Sequence, residues 1–175
     1  VVGEYSDVIY LTDENGLSEP LPIEYAVEAI PPYDEVDRNK FPYSMSLCGQ
    51  VILSDLQSDG NNQIDTDERD IVYAMCGEEC VGKSNISYDA EANTSKLFIS
   101  VYGNETMTNK PIRFRLWQAA TGKVYELAAS RSVFFAQNAI YGCGDGEPVV
   151  LTTTGSERQT LNLNPGWNWV SFNLD

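Results

Sequence analysis

The stretch of this chain richest in carboxylates is SDLQSDGNNQIDTDERD, residues 54–70, and it is the first place to look for chemistry. With Ile64 as the apolar anchor, Asp59, Asn61, Asp65 and Glu68 fall at the third, fifth, ninth and twelfth positions of a calcium loop. Gln57 at the first position brings no charge, and Asn62 stands where glycine normally makes the sharp turn. The spacing therefore supports one weak calcium site at most, against the simpler reading of a solvated hairpin loop. Asp65 with Asp67, and Glu78 with Glu79, are carboxylates of the kind that glycoside hydrolysis uses in pairs, but acids this close together in turns are usually just solvated. The chain has no histidine, which removes Ser-His nucleophilic catalysis and the commonest metal ligand. No glycine-rich phosphate loop precedes a helix either, so an enzyme is not expected.

Cys48, Cys76, Cys80 and Cys143 are the disulfide candidates. An even number allows two bridges in three pairings, with buried free thiols as the alternative, and Cys-x3-Cys with distant singles is not zinc-site spacing. Three tryptophans are the candidates for ligand binding. In a strand Trp167 and Trp169 point one way while Val170, Phe172 and Leu174 point the other, so a core on the second side leaves a platform that stacks on sugar rings. Cover for a core or for a seam between modules is the simpler account of the same spacing. Trp117 shares the outer face of another strand with Arg113 and Arg115, where an arginine can stack on the indole.

The elements that position these residues are short strands. Val8–Thr12 reads as a strand closed by a turn. Residues 18–40 carry Pro20, Pro22, Pro31 and Pro32 and read as an extended connector. Tyr43–Ser54 places Met45, Leu47 and Val51 on one face. Ile71–Cys76 and Cys80–Ser84 form a hairpin around Gly77-Glu78-Glu79. Lys96–Tyr102 turns Leu97, Ile99 and Val101 inward, and Ile112–Trp117 does the same with Phe114 and Leu116. Val124–Leu127, Ser132–Gln137, Val149–Thr152, Thr160–Leu163 and Trp167–Leu174 complete the series. So many short strands with no convincing helix predict an all-β, antiparallel β-sandwich, Ig-like or jelly-roll-like, with an extended N-terminal segment. The boundaries follow: an N-terminal strand and connector at 1–40, the sandwich at 41–155, and a C-terminal strand segment at 156–175.

A formal charge of −15, from 11 basic against 26 acidic residues, argues against nucleic acid and anionic membrane surfaces as partners. No apolar run is long enough for a transmembrane helix. The strand Val8–Thr12 and its lead-in resemble Ile140–Gly142 leading to Val149–Thr152, a weak internal repeat.

In order, Asp70-Ile71-x-x-Ala74-x-x-Gly77-x-Glu79-Cys80-x-Gly82, PIRFRLWQAATGKVYEL, VFFAQNAIYGCGDGEPVVL and GWNWVSFNL resemble the repeated modules of large secreted and cell-surface proteins of Bacteroidetes type, over about Tyr43 to Leu174. The resemblance implies β-sandwich modules of adhesin-like or polysaccharide-handling proteins. Cys48, Cys76, Cys143 and the long acidic loop depart from the pattern. The expectation is an extracellular, non-enzymatic adhesive or structural module. It would pair with other copies of itself or with neighbouring modules through exchanged terminal strands. Glycan binding through exposed tryptophans is the alternative.

Overall fold

The computed structural model describes residues 3–12, 14–27, 29–54, 63–144 and 146–158. Its strands are β1 (Gly3–Thr12), β2 (Ser18–Val27), β3 (Tyr43–Leu53), β4 (Gln63–Ile64), β5 (Ile71–Cys76), β6 (Glu79–Asn85), β7 (Ser87–Asp89), β8 (Thr94–Gly103), β9 (Ile112–Trp117), β10 (Val124–Ala129), β11 (Ile140–Tyr141) and β12 (Val149–Arg158). Two single 3-10 turns, at Arg38–Lys40 and Glu105–Met107, are the helical pieces among the described residues.

One continuous hydrogen-bonded path runs β6-β5-β9-β10-β12-β3-β8-β7 and folds back on itself, so the protein is all-β, with its sheets packed face to face. The register between β10 and β12 slips between Tyr125 and Leu127; a bulge of this kind coils a strand and lets it change layer. Inward residues follow the strand period of two. Val72, Ala74, Phe114, Leu116 and Leu127 on one side meet Met45, Leu47, Val51, Ile99 and Val101 on the other, all buried in one cluster. Most pairings are antiparallel, as expected. β3 departs from that pattern by running parallel to both β11 and β12.

The two layers touch where Gly82 of β6 lies over β8. A Cβ added at Gly82 would sit 2.6 Å from the Ser100 carbonyl oxygen and 3.3 Å from the Val101 Cα, both main-chain atoms that cannot swing aside. Gly82→Ala is expected to destabilise the fold by about 1–3 kcal/mol, the usual range for overpacking. Urea denaturation measures it, and an unchanged midpoint would mean that the layers are not in contact there.

The Pro-rich stretch is not simply a connector. β2 pairs with β1 over ten residues in an antiparallel two-stranded ribbon that joins no other strand among the described residues. Pro20 stands opposite Tyr10 and Pro22 opposite Val8. Spaced by two, both prolines turn their missing N–H groups to the same edge of β2, the one away from β1, where no ladder bond is lost. The Val8 N–H, on the corresponding outer side of β1, bonds the Asp7 carboxylate at 2.8 Å rather than β2. Val8–Thr12 and its look-alike Val149–Thr152 thus have different roles: the first belongs to the ribbon, the second to the sandwich. Residues 132–137 form no strand either; Phe134 makes a single bridge to Pro111.

Candidate functional site

β9 presents Arg113, Arg115 and Trp117 on its outer face, as the alternation predicts. Trp117 is nonetheless only 5 % exposed. The sequence reading of an open indole is corrected here: the ring lies in a cluster covered by Ile71, Cys80 and Ala119 and by the segment after the ribbon. Ala29 and Tyr33 pack on the patch formed by Tyr73, Met75, Trp117 and Val124, and the Tyr33 ring meets Tyr73 edge-on with centroids 4.9 Å apart. Neither the Trp117 Nε1 nor the Tyr73 hydroxyl makes a hydrogen bond among the described residues.

The same segment closes over Arg115, whose side chain is 3 % exposed. Its Nε donates to Glu126 Oε1 at 2.9 Å, its Nη1 to the Tyr33 hydroxyl at 2.5 Å, and its Nη2 lies 3.3 Å from Glu78 Oε2. Burial alone would lower its pKa, but the hydrogen bonds to Glu126 and Tyr33 outweigh it, and the net direction is upward. Lys83 pairs with Glu35 at 2.6 Å farther along the strap. Charge-assisted bonds of this kind hold residues 29–35 across the outer face of β5, β6 and β9.

The calcium candidates divide. Asp59 and Asn61 lie outside the described residues. Glu68 Oε1 accepts the Tyr88 N–H at 3.1 Å, and Asp65 Oδ1 accepts the Asp67 N–H at 3.1 Å. No group of three metal-ligating side chains converges among the described residues. Asp65 instead faces Asp70, and each is 2 % exposed. Asp70 Oδ1 accepts the Ala119 N–H at 2.8 Å. Asp65 Oδ2 has no donor if both groups are ionised; a proton on Asp70 supplies one. Desolvation pushes Asp70 up to about 7, against the Ala119 bond and with the help of the Asp65 charge, and burial raises Asp65 as well. Asp70, with Asp65 beside it, fastens the acidic loop to the β9–β10 turn through the Ala119 N–H. Asp67 is held below the carboxylate norm chiefly by its hydrogen bonds from Arg69, with which it pairs at 2.7 Å. Asp65 is buried against Asp70, and Glu78 lies between Arg113 and Arg115.

Of the four cysteines, Cys48 and Cys143 form a disulfide. The parallel register Ile140↔Ser46 and Tyr141↔Leu47 carries Cys143 past Cys48. Gly142 completes the approach with φ +70°, and a Cβ there would stand 2.4 Å from the Cys48 carbonyl. Cys76 and Cys80 remain thiols. Cys76 faces the sandwich core while Cys80 packs with Tyr73 and Met75 on the outer face, so the hairpin itself keeps them apart. Burial pushes both thiols up, away from the reactive thiolate.

No family model, curated protein or solved structure matches the chain. Trp167 and Trp169 lie outside the described residues, so the surface that stands out is the N-terminal strand that the sequence reading offered for pairing with a neighbour, here paired with the Pro-rich stretch, which that reading took for a connector. The ribbon exposes Val8, Ile9, Tyr10, Leu11 and Leu21, with Tyr10 at 68 %. The available signal was an apolar run, VIYL, opposite prolines at alternate positions. Residues 1–37 contain no lysine or arginine, so the ribbon's charge is wholly acidic.

Proposed function

We propose that the chain is a secreted, non-enzymatic adhesive or structural module whose contact element is the β1–β2 ribbon, which engages other copies or neighbouring modules. The observation that carries this reading is the ribbon itself: a long two-stranded element outside the sandwich, apolar on both faces and exposed. An exposed apolar patch on a paired edge is the usual mark of an interaction surface. Pro20 and Pro22 blunt the edge of β2, so any strand addition falls to β1. The Cys48–Cys143 disulfide supports an oxidising compartment. The resemblance to secreted surface modules points the same way, whereas burial of Trp117 removes one of the three residues on which glycan binding rested.

Replacing Ile9 and Leu11 by asparagine in the full chain tests the proposal. Light scattering is expected to show assemblies of the native protein and monomers of the variant, with the same melting temperature, because the ribbon lies outside the core. Equal assembly by both proteins would sink the reading.

A further inference from the structure

The proposal leaves open what the ribbon docks on. A cleft of about 240 Å³ opens beside β9 and the segment 131–134. Its floor is apolar, with Phe114, Leu127 and Val133 buried, and its rim carries Arg113, Arg131 and a Phe134 that is 43 % exposed. Sites for drug-sized molecules run about 300–1,000 Å³, so this one is scaled to a side chain or two. Arg131 Nη2 donates to the Glu147 main-chain carbonyl at 2.7 Å, and Arg131 has no carboxylate partner among the described residues. Arg113 donates to the Gly77 carbonyl at 3.2 Å and lies 3.6 Å from Glu78, whose side chain is largely exposed. A guanidinium has five N–H donors, so a carbonyl that fixes its direction leaves others to bind an incoming anion.

In a chain of net charge −15, an apolar cleft rimmed by arginines is a marked reversal of sign. The ribbon carries the matching pattern. On one face Ile9 and Leu11 stand with Leu21, flanked by Asp7 on the same strand and by Glu19, which lies directly opposite Leu11. We propose that the cleft receives this face from the ribbon of a second copy, with Leu11 as the anchor and Glu19 and Asp7 on the arginines. The inference rests on the reading of the ribbon as the contact element. Ribbon and cleft are different surfaces of one chain, so the contact is head-to-tail and builds open chains of molecules rather than closed dimers.

Two full-length charge reversals test it by sedimentation. Arg131→Glu alone and Glu19→Arg alone are each expected to weaken self-association at least ten-fold. An equimolar mixture of the two is expected to recover it, because in an alternating chain every contact then joins opposite charges. If both variants assemble like the native protein while the Ile9/Leu11 variant does not, the cleft is the wrong receptor and the ribbon reading survives. If the Ile9/Leu11 variant also assembles normally, both readings fall. Binding of a small aromatic carboxylate such as benzoate, lost in Arg131→Glu, without any change in assembly would assign the cleft to a small ligand and overturn the docking proposal.

Discussion

Reduction of the Cys48–Cys143 bond, or replacement of both residues by serine, is expected to lower the unfolding free energy by about 4–5 kcal/mol. The two residues are 95 apart in sequence, and cross-linking a loop of that length removes much of the denatured chain's freedom. A loss of this size is a large fraction of the roughly 5–15 kcal/mol that holds an ordinary domain together. The native contacts around the bond change little, because β11 and β12 remain paired with β3. Urea denaturation with and without reductant measures the difference. Cys76→Ala, with its thiol against the core, serves as the control: its unfolding should show the same sensitivity to reductant as the native chain. Reductant without effect on the native midpoint would mean that the pair is not bonded in solution.

The sandwich was legible because burial imposes a period of two on each strand that lines it. Met45, Leu47 and Val51 on β3, Leu97, Ile99 and Val101 on β8, and Phe114 and Leu116 on β9 all reach the core as their alternation predicts. The same period misleads at residues 132–137. Val133 and Phe135 are buried and Phe134 is not, yet the segment forms no strand: one bridge and three main-chain hydrogen bonds tie it to residues 109–112. Alternation reports which side chains face inward; it does not report a ladder. β2 was hidden by its prolines, which break a central strand but not the outer edge of a ribbon.

The candidate site was less legible, because what decides it comes from far along the chain. The outer face of β9 was assigned correctly, but part of the cover over Arg115 and over the cluster that holds Trp117 comes from Tyr33, 82 residues before Arg115. No local pattern carries that information. The cysteines are a similar case. Spacing leaves every pairing open, and only the parallel return of β11 beside β3 selects Cys48 with Cys143. Asp65 read as a calcium ligand or as half of a carboxylate pair in a solvated loop, not as a buried acid. Its burial depends on the meeting of that loop with the backbone of Ala119, which caps Asp70.

That meeting leads to the second large effect. Asp70 has a folded-state pKa near 7, above the ordinary aspartate value of 3.8, so the folded protein holds a proton that the unfolded chain releases. The sign follows from linkage. The contribution is fully present below about pH 4, is lost as pH rises toward 7, and at higher pH leaves two buried carboxylates facing each other with no proton between them. Asp70→Asn keeps an oxygen to accept the Ala119 N–H and adds an amide that can donate to Asp65 Oδ2, the atom otherwise without a donor. The variant is therefore expected to melt higher than the native protein at pH 8, with the gap narrowing steadily as pH is lowered to 5. Asp34→Asn removes the same unit of charge from an exposed position and should shift melting little at either pH. Melting curves of the three proteins from pH 5 to 8 decide the matter. A constant offset between Asp70→Asn and the native protein across that range would show that the pair shares no proton, and a lower melting temperature at pH 8 would show that the ionised Asp70 is the form the fold requires.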